Sequence, residues 1–366
     1  MENRCCTIRI NLALKALAVV FFVLMSCTPP PASTASSALA SSVNQSAGPI
    51  GLSDREILTL SSLKQVDNYP LYTMRFFGAY DNSANSEILK QVRNNDIRGI
   101  YSRKWPTMRS CSLFTGLGRR ESMIYGRNFD WKYSPALLLF TNPPNRHASV
   151  SMVDIAYLRL PKVDNLCNLP IGRRRALLGA PSIPFDGMNE RGLVIGMAAV
   201  PGGNLGYSPD KKEISCILVI RKILDHADTI DEALTILRSY NINMGGLRLH
   251  YLIADSLGKA VLVEFYQDNI VVIPNEEPWH LATNFQVAST LQSSSGKCRR
   301  YDRMTKRLAE SHGKLLPHEA MALLKSVSKR KTQWSVVYEM STGDVSVAMD
   351  RKYSNLHRFH INILAK

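Results

Sequence analysis

A thiol, a guanidinium and a carboxylate stand at Cys111, Arg127 and Asp130, inside the segment CSLFTGLGRRESMIYGRNFDW of residues 111–131. A cysteine thiolate is intrinsically a good nucleophile. If the amide bond before Cys111 is cut, the same residue also carries a free α-amine with a pKa of about 8, able to take the thiol proton. Attacker and base then belong to one residue, and opening an amide needs no separate histidine. Arg127 would lower the thiol pKa through its charge, and Asp130 would accept hydrogen bonds from the α-amine and orient it. Taken singly, the three read equally well as a hairpin ion pair beside a small buried thiol.

For these groups to meet, the chain must run as a strand, turn tightly and come back. Cys111 to Leu117 and Ser122 to Tyr125 read as that hairpin, with Gly116, Gly118 and two arginines between. Ahead of it, residues 53–63 and 84–93 look helical and Tyr69 to Tyr80 reads as a strand rich in aromatics. Behind it come strands at Ser151 to Leu158 and Leu193 to Val200, then a helix from Ile214 to His226 and a second helix capped by Asp228. Leu249 to Ala254 and Ala260 to Phe265 form a hairpin whose strands are apolar on both faces, the signature of a covered sheet. Trp279 to Ala282 is an apolar strand leading to Thr283 and Asn284. Helices at 298–310 and 317–328 and a hairpin of Trp334 to Met340 with Val345 to Met349 close the chain. Runs of strands alternating with pairs of helices suggest two antiparallel sheets with helices outside them.

The 366 residues, 45% hydrophobic, suffice for a large core. Arg4, Arg9 and Lys15 precede an apolar run from Ala16 to Met25, too short to span a bilayer stably, which reads as a secretory signal. Leu24 to Cys27 resembles a bacterial lipobox, in which Cys27 would be lipidated. Ordinary cleavage nearby and an uncleaved anchor are the other two readings. Residues 28–50, rich in Pro, Ser and Ala, cannot offset their ordering entropy by burial and read as a flexible tether. The net charge is +15, and the signal contributes little of it. Runs such as Arg173-Arg174-Arg175 and Lys329-Arg330-Lys331 are ordinarily solvated surface, the alternative being attraction to an anionic membrane face. Export and the lack of a recognition motif argue against nucleic acid as a partner. No CxxC or Cys/His cluster at zinc spacing occurs, so neither a structural metal nor a disulfide framework is expected of Cys111, Cys167, Cys216 and Cys298.

In order along the chain, Cys111, GRNFDW at 126–131, DGMNERGL at 186–193, Thr283-Asn284 and RRYDR at 299–303 resemble the linear-amide hydrolases of the N-terminal-nucleophile superfamily. That group includes choloylglycine hydrolase, penicillin V acylase and, more distantly, acid ceramidase. The resemblance implies an α+β fold, a four-layer αββα sandwich of two antiparallel sheets flanked by helices. It implies hydrolysis of a carbon–nitrogen bond in a small-molecule N-acyl amide, with no cofactor. It assigns catalytic roles to Cys111, Arg127, Asp130, Asn284 and Arg300, with Arg299 as the alternative to Arg300 because the register of RRYDR slips easily. Asn284 would donate a side-chain N–H to the developing oxyanion. The second oxyanion position falls on Ala199, where choloylglycine hydrolases tend to carry Asn and penicillin V acylases Tyr. A backbone N–H would serve there. With Met197 and Val200 beside it, alanine favours an apolar acyl group over a steroid conjugate.

In the simplest relatives only the initiator methionine precedes the nucleophile, whereas here 110 residues do, as in the penicillin acyltransferase and acid ceramidase branches. The resemblance then implies self-cleavage between Ser110 and Cys111. The chain divides into a signal (1–27), a linker (28–50), a pro-segment packed on the core (51–110) and a catalytic domain (111–366), exported to a bacterial periplasm or cell envelope. An acyltransferase using the same thioester, and a non-catalytic ligand-binding lipoprotein, stay open, as does oligomeric state.

Overall fold

The computed structural model describes residues 51–80 and 111–364, apart from 159, 162, 203–204, 246–247 and 291–293. The expected helix at 84–93, the signal and the linker lie outside the described residues. The chain opens with α1 (Asp54–Ser61), started by a reciprocal box in which Ser53 and Glu56 satisfy each other's backbone amides. Strands β1 (Lys64–Asp67) and β2 (Leu71–Phe76) follow, then β3 (Ser112–Gly116), β4 (Ile124–Asp130), β5 (Ala136–Thr141) and β6 (Ser149–Asp154). After a run of 3-10 turns (Ile171–Ser182) come β7 (Pro184–Asn189), β8 (Val194–Ala199), β9 (Lys212–Ser215), α2 (Leu218–His226), α3 (Ile230–Arg238) and β10 (Tyr240–Asn243). The remainder is β11 (Leu249–Ala254), β12 (Ala260–Tyr266), β13 (Asn269–Pro274), β14 (Trp279–Ala282), α4 (Arg299–Glu310), α5 (Pro317–Ser326), β15 (Thr332–Glu339), β16 (Asp344–Met349) and β17 (Leu356–His360).

Fifteen of these strands make two sheets, a nine-stranded one in the order β1-β2-β5-β6-β7-β8-β11-β12-β13 and a six-stranded one in the order β14-β3-β4-β15-β16-β17. Within these two sheets all pairs are antiparallel except β2 with β5, which run parallel; β9 and β10 form a separate parallel pair. Apolar residues cover both faces of each sheet, so each needs cover twice. The sheets cover one another, and helices take the outer faces. Asn189 Nδ2 donates to the carbonyls of Leu224 and Ala227, and Tyr251 Oη to that of Cys216, which fixes α2 over the larger sheet. Asn128 Nδ2 donates to the Leu324 carbonyl and fixes α5 over the smaller one. Between the sheets, a Cβ at Gly196 would stand 2.7 Å from Tyr125 Oη, so only glycine lets β8 approach β4 this closely. The architecture is the four-layer αββα sandwich that the resemblance implied.

Local details depart from expectation. The second strand of the first hairpin runs to Asp130 rather than stopping at Tyr125, because β15 pairs along its whole length. Residues 212–215 form a strand before α2 instead of its first turn, and Ile155–Leu158 is a 3-10 turn. The α3 cap is Thr229 with Glu232, not Asp228, whose side chain pairs with His147 and Arg191. Arg174 is no solvated charge: it donates to the carbonyls of Leu60, Cys167 and Leu169, tying residues 51–80 to the body. That stretch also buries Leu60, Leu71, Tyr72 and Met74.

Candidate active site

The site is built on the first hairpin. Ser112 pairs with Asn128 and Leu113 with Arg127, so Cys111, just before β3, falls beside Phe129 and within reach of Arg127 and Asp130. Cys111 is buried and its thiol is free. It faces a cavity of about 50 Å³, room for a water or two, lined by Arg127, Phe129, Asp130, Tyr157, Phe185, Met197 and Leu249 among others. The wall is apolar and aromatic apart from the two charged side chains.

On β4, Arg127 reaches toward the other sheet, and Asp130, the last residue of the strand, lines the same cavity. Arg127, 1% exposed, donates from Nη1 to the buried carboxylate of Asp186 on β7 and from Nη2 to the Met197 carbonyl, 3.0 Å away. Asp186 also accepts from Tyr338 Oη on β15. Asp130 accepts from Thr332 Oγ1, and its other oxygen, also buried, has no hydrogen-bond partner among the described residues. Burial pushes the Asp130 carboxyl up to about 6, against the opposing pull of Thr332, Arg300, Lys329 and Arg127.

Arg127 pulls the thiol pKa down, as expected, but does not decide the net shift. Burial raises it, and the pull of Arg127, the Asp130 backbone N–H and Arg300 offsets only part of that rise. The resting thiol is therefore protonated at neutral pH, and its reactivity depends on a nearby proton acceptor.

Asn284, just after β14, donates from Nδ2 to the Ala199 carbonyl (2.7 Å) and accepts at Oδ1 from Arg300 Nη2 (3.0 Å). The two bonds together fix which end of the amide is which and leave one N–H unused by them. Arg300, on the first turn of α4, also donates from Nη1 to the Cys111 carbonyl and to Ser112 Oγ (2.9 Å), whereas Arg299 is exposed. Thus Cys111, Arg127, Asp130, Ala199, Asn284 and Arg300 converge on one end of the space between the sheets. Ala199 contributes its carbonyl to Asn284. Ser110 and Cys27 lie outside the described residues.

Sequence reasoning missed Asp186 and Thr332, which hold Arg127 and Asp130 in place. The structure shows why Asp186 needs a cation or donor: it sits in a strand buried at every position. The only signal in the sequence was its place inside DGMNERGL, one of the blocks that carry the resemblance.

A family model described as acyl-coenzyme A:6-aminopenicillanic acid acyl-transferase matches residues 176–351, a stretch that carries Asp186, Ala199, Asn284 and Arg300. No curated protein matches the chain. Among solved structures, a mutant of the conjugated bile acid hydrolase from Clostridium perfringens aligns at a TM-score of 0.51 and 16% identity, covering 69% of this chain and 92% of that one. A second variant of that hydrolase gives the same score and identity, with 69% and 93% coverage. Penicillin V acylase from Agrobacterium tumefaciens aligns at a TM-score of 0.49 and 17% identity over 65% of this chain and 83% of its own. At these identities the alignments with the bile acid hydrolase show a shared fold, while the family model speaks to the sequence. Over the stretch that the family model matches, just under half of its length, the chain is similar to penicillin acyltransferase-like proteins, and it shares the fold of the bile acid hydrolase.

Proposed function

We propose that the protein is a self-processing amidohydrolase that cleaves a linear N-acyl amide through a thioester at Cys111. The observation that carries this reading is the buried Asp130 oxygen, without a partner among the described residues, beside the cysteine just before β3. A buried carboxylate oxygen without a donor is costly, and a cationic α-amine at Cys111 would supply the missing donor.

In activation, Cys111 Sγ attacks the Ser110 carbonyl carbon, the bond from that carbon to the Cys111 nitrogen breaks, and the nitrogen takes the thiol proton. Water then hydrolyses the Ser110 thioester, leaving a Ser110 carboxylate and Cys111 with free amine and thiol. In turnover the α-amine takes the thiol proton and the thiolate adds to the substrate carbonyl. The spare Asn284 N–H donates to the resulting oxyanion. The α-ammonium protonates the leaving amine, and water, deprotonated by the same amine, releases the acid from the thioester. Arg300, bound to both the Cys111 carbonyl and Asn284, holds nucleophile and oxyanion donor in one frame. Phe129, Tyr157, Phe185, Met197 and Leu249 favour an apolar acyl group.

The mass of the largest fragment of the purified protein tests this. A fragment beginning at Cys111 is expected, and a Cys111→Ala chain should stay whole and inactive. A continuous active chain, or an active Cys111→Ala variant, overturns the reading. The family model's acyl-transferase description favours a second reading in which an amine resolves the thioester in place of water. Product analysis with added amines separates the two. Export and lipid attachment at Cys27 rest on the sequence of residues 1–27, and a Cys27→Ala variant that leaves the membrane fraction would support them.

A further inference from the structure

We propose that Glu264 is the positioning residue of the oxyanion donor, its buried carboxylate fixing the segment that carries Asn284. The proposal rests on the oxyanion role given to Asn284 above. Strand β12, AVLVEFY, is buried over six of its seven positions, and Glu264 is 0% exposed within it. A carboxylate there is tolerable only if donors surround it. Its donors come from two places. One is the segment just past Asn284: Val287 N–H reaches Oε1 at 2.9 Å and Ala288 N–H reaches Oε2 at 2.7 Å. The other is the neighbouring strand, where His250 Nδ1 lies 2.9 Å from Oε1.

The network assigns the histidine's roles. Nδ1 must carry a proton to face a carboxylate, and Nε2, buried without a partner among the described residues, is then best left as a bare lone pair. A third tie lies alongside, from Gln286 Nε2 to the Phe265 carbonyl at 2.9 Å, and Thr290 N–H closes a turn onto the Val287 carbonyl. Residues 286, 287 and 288 are therefore all anchored to β12. Asn284 is two residues away, with its side chain bound to Ala199 and Arg300. Charge-assisted bonds to two successive amides hold a segment about twice as firmly as neutral ones. An oxyanion donor acts through its position, and a displacement of about 1 Å costs roughly a factor of 10² in rate.

Glutamine in place of Glu264 keeps the shape but can accept at one oxygen only, and its amide NH2 would confront a backbone N–H. Hydrolysis of a fatty-acyl aminocoumarin amide by the self-cleaved enzyme provides the readout. Glu264→Gln is expected to lower kcat about 10- to 100-fold with KM within about twofold, while the active-site thiol still titrates at one per chain. In an Asn284→Ala background the same substitution should change kcat by less than about twofold, because the group it positions is gone. A merely structural role predicts equal losses in both backgrounds, and that result, or an unchanged kcat in Glu264→Gln, overturns the proposal. If Glu264→Gln does not fold, Gln286→Met, which cuts the neutral tie to the same segment, carries the same cycle with a smaller loss. The Asn284→Ala single variant reports separately on the oxyanion role: unchanged kcat there removes that role and this proposal together, whereas a large loss with an additive cycle removes this proposal alone.

Discussion

Among the described residues two arginine–aspartate pairs are buried, and they face different surroundings. Arg127 with Asp186 joins two strands from different sheets, and Arg221 with Asp225 joins successive turns of α2. All four side chains are at most 1% exposed, and each guanidinium lies over an aromatic ring, Phe129 in one case and Tyr80 in the other. Around Asp225 the partners complete a local cluster: Tyr80 Oη donates to it at 2.7 Å and Arg146 Nη1 approaches at 3.4 Å. Beside it lies a wide groove whose lining includes Arg55, Arg146 and His147 and no cysteine. The Arg127 pair instead borders a small apolar cavity with a thiol and a half-satisfied carboxylate in its wall. The two pairs are alike in burial and differ in what they face, a polar groove in one place and the cavity of the proposed site in the other.

Removing one partner from each pair tests that contrast most strongly. Asp186→Asn and Asp225→Asn should each cost about 3–5 kcal/mol in denaturant unfolding, since each strands a buried guanidinium. Only Asp186→Asn should also depress kcat in the fraction that remains folded. A comparable kcat loss in Asp225→Asn would erase the distinction.

Next in size is Asn284→Ala, expected to lower kcat by about 10² to 10³ with little change in denaturation midpoint. The pH dependence of stability comes third. Asp130 and Asp154 both sit at about 6, raised by burial. The folded state thus holds these protons more tightly than the unfolded chain does. The resulting stabilisation is full below about 4 and is lost as pH rises through about 6, on the order of 2–3 kcal/mol for each group. Uncleaved Cys111→Ala protein should therefore unfold more easily at pH 7 than at pH 4 on this account, and Asp130→Asn should flatten part of the slope. Activity should run the other way across this window, because only ionised Asp130 can hold the α-ammonium. The smallest effect belongs to a third pair, Arg307 with Glu319, whose atoms approach as closely as 2.8 Å but stay more than 30% exposed. Arg307→Ala should shift stability by less than about 1 kcal/mol, and a larger shift would mean that distance matters more than burial.

Much of this was legible along the chain. The strand from Trp279 to Ala282 ends where its apolar run ends, and β11 and β12 follow their apolar runs closely. Strands β5 and β7 were not anticipated. LLLF in β5 is a continuous apolar run of the kind that fits helix or strand alike, and PFDGMN in β7 carries a proline, an aspartate and a glycine that disguise a strand. Glu264 shows the same blind spot from the other side. It is the one charge in the otherwise apolar strand AVLVEFY, a sign that a partner must exist without any hint of which residue it is.

By itself the sequence determined the kinds of group present and their local frame: a cysteine that opens a strand, and an arginine and an aspartate on the strand that returns. Hydrophobic period and turn residues act over a few positions, so they fix a hairpin. What only the tertiary structure decided is which distant groups complete it. Arg300 rather than Arg299 reaches Cys111, Asp186 holds Arg127, and one Asp130 oxygen has no partner among the described residues. On an amphipathic helix neighbouring arginines differ by about 100° of rotation, and only the docking of α4 against β3 and β14 selects the one that points inward.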